Sequence, residues 1–215
     1  MRKNTLLPVV LCMAAGLAHA SPELLRSAEK GDLTGVQRQL RSGAAVDARD
    51  TRQRTPLLLA TWANHPAVAQ ALIAAGADVN AKDDQQDSPY LVAGAHGRTE
   101  ILKMTLAHGA DLRSTNRYGG TALIPASEKG HPEAVRLLIQ AGADVDFVNK
   151  LGWTSLLEVA ILGQDTAVYQ DITRQLIAAK ANVNLPDKNG VTALQHARQR
   201  GLTQIAALLV QAGAR

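Results

Sequence analysis

The side chains able to do acid–base or metal chemistry in this chain are few, and their spacing argues against catalysis. His65 and His131 recur at equivalent places in a pattern, which suits an imidazole that satisfies backbone groups at a turn. His96 and His108 have no second ligand at metal-binding spacing. Glu158 and His196 remain, a carboxylate and an imidazole able to share a proton. No H-E-x-x-H, C-x-x-C, G-x-S-x-G or phosphate-cradling glycine loop occurs. Two residues are too few for a metal site and lack a nucleophile. The expectation is therefore no catalytic residue, no metal and no cofactor. An enzyme or ligand-binding protein using a groove near Glu158 and His196 is the competing reading.

What positions these residues is a repeat. RSGAAVDARD recurs as AAGADVNAKD, AHGADLRSTN, QAGADVDFVN and AAKANVNLPD. Gly43, Gly76, Gly109 and Gly142 are spaced by 33 residues, Lys180 follows after 38 and Gly213 after 33 more. A second series keeps step: TPLLLATWANHP, SPYLVAGAHGRT, TALIPASEKGHP, TSLLEVAILGQD and TALQHARQRGLT. Thr or Ser at the head of each is a helix N-cap, with proline in the first turn at Thr55-Pro56 and Ser88-Pro89. About nine residues on, a glycine such as Gly130 or Gly163 ends that helix, and a second apolar helix such as EAVRLLIQA follows. Two short helices and a projecting turn cannot bury their apolar faces alone, so the units must stack.

The 33-residue period with T-P-L, G-H and G-A-D-V-N landmarks resembles the ankyrin repeat. That resemblance implies an all-α solenoid of six helix-turn-helix units with projecting turns or short hairpins. The units fall at about 21–50, 51–83, 84–116, 117–149, 150–187 and 188–215. The stretch from Thr121 to Gly163 further resembles exported bacterial members of that family. Departures are local. Gln53 and Gln86 stand for the hairpin glycine, Leu58, Leu91 and Ile124 for the helix-one histidine, and Lys180 for a C-cap glycine. Such changes cost about 1 kcal/mol apiece. Pro125 falls in a first helical turn, where a lost N–H is tolerable.

The amino terminus has another logic. Arg2 and Lys3 precede an apolar run from Leu6 to Leu17, and Ala18-His19-Ala20 offers a small-x-small cleavage site. The run is shorter than the roughly 20 residues that span a bilayer. Residues 1–20 are read as a cleaved signal peptide, with residues 21–215 as the repeat domain. Cleavage would remove the only cysteine, Cys12, and leave Ser21-Pro22-Glu23 as a helix start. The expected location is periplasmic or secreted, with no stable membrane insertion after cleavage. A formal net charge of +4 over 215 residues, two units of it from Arg2 and Lys3, predicts no nucleic-acid affinity. The expected partner is another protein, itself exported, bound by a monomer. Secretion into a host, with a host protein as target, is an alternative.

Alignment of the units places the residues just before each Thr, and the two before the helix-one glycine, on the side that the resemblance implies is concave and exposed. Most are polar there. In the fifth unit they are Lys150, Leu151, Trp153, Ile161 and Leu162, with Phe147 on the adjoining turn and Trp62 and Tyr118 as earlier outliers. Clustered exposed apolar residues mark interaction sites. Arg117, Glu128, Lys129 and Lys150 flank them as orienting charges, and Glu158 faces His196 across one helix spacing. The rows of charge on the turns, Arg49, Arg52 and Arg54 among Asp47, Asp50, Asp83, Asp84 and Asp87, suit either a solvated face or the steering of an acidic or mixed partner. The fifth unit carries five extra residues within 164–175. A longer connection there either folds back so that Val168 or Tyr169 covers Ile161 and Leu162, or leaves the patch open to a partner.

Overall fold

The computed structural model describes residues 22–215. The signal-peptide reading and the Ser21 cap lie outside them. Twelve helices form among the described residues: α1 (Pro22–Lys30), α2 (Leu33–Arg41), α3 (Pro56–Trp62), α4 (Pro66–Ala74), α5 (Pro89–Ala95), α6 (Thr99–Ala107), α7 (Leu123–Glu128), α8 (Pro132–Gln140), α9 (Ser155–Leu162), α10 (Ala167–Ala178), α11 (Ala193–Gln199) and α12 (Thr203–Gln211). The described residues contain no strand, only an isolated antiparallel bridge between Pro186 and Thr192.

The helices pack as two rows. Odd-numbered helices each contact the next odd one, even-numbered helices the next even one, and the two helices of a unit contact each other. Leu57, Leu72, Leu102, Leu123, Leu138, Leu157, Ile172 and Leu176 fill the space between the rows and are wholly buried. Short helices of six to nine residues, which would be marginal alone, are held by this packing.

Capping follows the sequence at four places. The hydroxyls of Thr55, Ser88, Thr154 and Thr192 accept from the backbone N–H of Leu58, Leu91, Leu157 and Gln195. Thr121 departs from the pattern: its buried Oγ1 has no partner, and Ile124 N–H bonds to the Thr121 carbonyl instead. Pro125 restricts the residue before it, so Ile124 cannot present its N–H to the cap in the usual way.

Each projecting turn is built on one Asp or Asn. Asp50, Asp83, Asn116, Asn149 and Asp187 each accept, through one side-chain oxygen, from the backbone N–H groups two and four residues on. The turn needs a left-handed residue three positions after that acid or amide. It is glycine at 119, 152 and 190 but glutamine at Gln53 (φ 61°) and Gln86 (φ 63°), and Lys180 is left-handed too (φ 67°). The turns are also linked in series. Lys82, Lys150 and Lys188 donate through Nζ to the carbonyls of Thr115, Arg117 and Lys150 on neighbouring turns. These basic side chains thus serve as inter-repeat ties.

The five extra residues do not make a long connection. They are absorbed as one residue in α9, one in the linker and three in α10, which runs for 12 residues where α4 runs for 9. Tyr169, in the first turn of α10, lies against Gly130 and donates its hydroxyl to the Glu128 carbonyl at 2.9 Å. That is the service His65 performs with Gly31 and the Glu29 carbonyl at 3.2 Å. A longer side chain reaches the same glycine turn from a helix that begins a turn earlier. Leu162 stays 47% exposed, and Val168 is also exposed, so the insertion does not cover the patch. Asp165, in the linker, instead caps the next unit, accepting from the N–H groups of Gln204 and Ile205 and from the Thr203 hydroxyl.

Two stability measurements check these assignments. Replacing Gln86 by glycine relieves a left-handed side-chain residue and is expected to stabilise the chain by about 0.5–1 kcal/mol in urea unfolding. Asp165→Ala removes the cap of α12 and is expected to cost about 1–2 kcal/mol, with faster amide exchange concentrated in residues 203–211.

Candidate functional site

Between the projecting turns and the row of odd-numbered helices runs an open groove. Its middle section, of about 300 Å³, is lined by Trp62, Asp87, Val92, His96, Arg117, Tyr118, Pro125, Glu128 and Lys129. The next section, of about 250 Å³, shares Asn116, Tyr118, Pro125 and Glu128 and extends to Ile124, Asn149, Leu151, Trp153, Glu158 and Leu162. A section towards the amino terminus adds Arg52, Arg54, Asp83 and Gln85 beside Trp62 and Arg117. Of the residues singled out from sequence, Trp62, Arg117, Tyr118, Glu128, Lys129, Leu151, Trp153, Glu158 and Leu162 all line this groove. Lys150 lies on the same turn as Leu151, its backbone N–H donating to the Tyr118 carbonyl.

Exposure divides these residues. Tyr118 is 56% exposed, Leu151 49%, Leu162 47% and Trp62 39%, and these four form the apolar surface a partner could cover. Trp153 and Ile161 do not stand free as expected: both are half-buried and pack on the core. Trp153 still lines the groove, whereas Ile161 does not reach its lining. Phe147 also departs from expectation. It is half-buried and lines a separate cavity with Leu112, Arg113, Gly142 and Asp144, residues that follow the even-numbered helices α6 and α8.

The Glu158–His196 pair does not form. Each residue is engaged by the Asn or Asp nine residues before it: Asn149 Nδ2 donates to Glu158 Oε1 at 3.0 Å, and His196 Nε2 lies 2.9 Å from Asp187 Oδ2. The two columns coincide, since both bonds run from the turn-building residue to the same helix position. A partner within the unit is nearer than one in the next, and it wins. Nor is Glu158 a surface contact, being only 4% exposed. Burial, reinforced by the neighbouring charge of Glu128 and opposed by the Asn149 bond, pushes its carboxyl up to about 7.

Sequence reasoning missed His96. It stands in the column of Lys129 and Leu162, which was the available signal. Its ring meets Trp62 edge-on at 4.7 Å, and its Nε2 is 3.4 Å from Lys129 Nζ. Burial first, then the charges of Lys129, Arg98 and His131, lower it to about 4, so it is a neutral acceptor at pH 7. Arg117 lies over the Tyr118 ring at 5.0 Å and donates to Gln85 Oε1. Arg200 donates to the carbonyls of Ala160 and Gly163, closing the end of α9 beside Leu162. His108 Nδ1 donates to the Met104 carbonyl locally, and His131 packs over Gly97, as structural imidazoles do. The described residues hold no cluster of three or more His, Cys, Asp or Glu able to bind a metal ion. No helix among them is long and apolar enough to cross a membrane.

The raised Glu158 gives a pH signature. Its folded value lies above the ordinary 4.5, so the folded state binds the extra proton between about 4.5 and 7 and loses stability as pH rises through that window. Glu158→Gln keeps the shape and removes the titration. The variant is expected to gain on the native chain by on the order of 1–2 kcal/mol from pH 4.5 to pH 8, read as diverging melting temperatures.

The family model for ankyrin repeats (three copies) matches residues 24–116 and 90–170. Crystal structures agree. An ankyrin repeat domain from Acinetobacter baumannii AYE is 56% identical, covers 89% of this chain and 98% of its own, and superposes with a TM-score of 0.86. A second ankyrin repeat protein is 44% identical over 88% of this chain and 96% of its own, with a TM-score of 0.85. The ankyrin repeat domain of Bcl-3, a member of the IkappaB protein family, is 30% identical over 91% of this chain and 87% of its own, at 0.80. No curated protein matches the sequence. With a family model matching most of the chain and ankyrin repeat structures superposing over nearly nine-tenths of it, this protein belongs to the ankyrin-repeat family.

Proposed function

We propose that this protein is a non-catalytic binding module that grips another exported protein along the groove, acting as an accessory or regulator of that partner. The observation that carries the reading is the run of exposed apolar side chains, Trp62, Tyr118, Leu151 and Leu162, along one groove otherwise bordered by charge. Ankyrin repeats are protein–protein interaction modules, and a rigid face of repeated helices suits that work because little ordering is needed on binding. The partner's apolar residues would cover this run, while Arg117, Lys129 and Glu128 set its orientation at the rim. The basic then apolar segment from Arg2 to Leu17 supports a place of action in the periplasm or outside the cell. The competing enzymatic reading rested on a Glu158–His196 pair, and each of these residues bonds instead to the turn of its own unit.

Affinity capture from periplasmic extract after mild cross-linking tests the proposal, with the Leu151→Ser/Leu162→Ser variant as comparison because both side chains are exposed and neither holds the core. One exported protein retained by the native chain and reduced at least tenfold by the variant is the expected result, corresponding to about 1.4 kcal/mol or more of lost contact. Equal capture by both chains overturns the groove as the site.

A further inference from the structure

Resting on the reading of the groove as a partner-binding site, we propose that its cleft between Tyr118 and Trp153 receives one cationic side chain of the partner, a lysine or an arginine, with Glu158 as the counter-charge. Glu158 is at once 96% buried and half-satisfied. Its Oε1 accepts from Asn149, while its Oε2 is buried with no partner among the described residues. A buried carboxylate oxygen without a donor is costly, and a donor that brings positive charge removes the cost most effectively. Rotation about the soft terminal torsion of a glutamate turns either oxygen toward an incoming group.

The walls fit such a group and reject others. Leu151, Leu162, Ile124 and Pro125 offer apolar surface for an aliphatic stem, and the rings of Tyr118 and Trp153 offer faces and edges for a cationic head. Glu128 adds a second carboxylate to the lining. An anion would meet two acids there, and a neutral apolar group would leave Glu158 unanswered. The rim already shows the chemistry, since the Arg117 guanidinium lies over the Tyr118 ring.

No cation among the described residues answers Glu158. Lys150, on the same turn as Asn149, spends its ammonium on the Arg117 carbonyl. His196, on the adjacent α11, is held by Asp187, and the facing charge from α7 is the acid Glu128. The group is therefore held near pH 7 by its surroundings, and a bound cation would draw its proton off. Recognition of the partner's basic residue should be pH-linked for that reason.

The test follows the two tryptophan indole N–H resonances by NMR, with Trp62 as the internal control for Trp153. The probes are n-butylammonium, n-butylguanidinium and n-butanol. Both cations, or one of them, are expected to shift Trp153 saturably while butanol does not, and the preferred cation tells lysine from arginine. Apparent affinity should be about tenfold weaker at pH 6 than at pH 8, as the ionised fraction falls. Glu158→Gln, checked by its melting curve and an unchanged Trp62 resonance, should lose the response. Equal shifts with butanol, or an undiminished cation response in Glu158→Gln, overturn the proposal. If no probe moves Trp153 while capture still depends on Leu151 and Leu162, the cation receptor is refuted and the groove remains the binding site. Cation binding without any such capture refutes the partner instead.

Discussion

No helix pair in this chain can bury its own apolar face. Each is two or three turns long, and its buried leucines and isoleucines touch the units before and after as much as their own partner. Everything else is arranged around that constraint. Short helices persist because neighbours complete their burial. Turns can project because one Asp or Asn satisfies two backbone N–H groups at their base without help from a sheet. A groove exists because the turns stand off from a row of helices whose own packing obligations lie behind them. Side chains on that front are released from structural duty and become available for recognition.

Much of this was readable in the residues. The period, the Thr and Ser caps, the glycine turns and the side on which Trp62, Tyr118, Leu151 and Leu162 emerge all follow from local rules repeated at a fixed spacing. The failures are where two local rules compete. Thr121 should cap α7, yet Pro125 four residues later reshapes the turn it would cap. Five extra residues could have been a loop, but AVYQDITRQ sets Tyr169 and Ile172 at helical spacing with Leu176 to follow, and an added helical turn satisfies more backbone than a loop would. Glu158 and His196 shared a column, but the column of Asn149 and Asp187 was also present and lies closer in space. His96 has no metal-binding spacing, and its groove role is legible only in its 33-residue column with Lys129 and Leu162.

The fifth unit concentrates the exceptions. It carries the longest helix, a tyrosine doing a histidine's work, a linker aspartate that caps its neighbour, and the acid that titrates near neutrality. These are connected. The added turn of α10 moves the start of the helix, which demands the longer Tyr169; the linker so displaced brings Asp165 to the first turn of α12; and α9, running one residue further, takes in Leu162 at the groove. One insertion thereby changes both the back and the front of the stack.

The bonds from turn to helix have a mechanical side. In the last two units Asn149 and Asp187 hold a helix residue as well as their own turn, whereas Asp50, Asp83 and Asn116 face Leu59, Val92 and Pro125, which offer no polar atom to hold. One bank of the groove is thus tied to the helix row at its carboxyl-terminal end, while its other turns are tied to one another. A ligand entering from the end tied to the helices meets surfaces that surrender little entropy on binding.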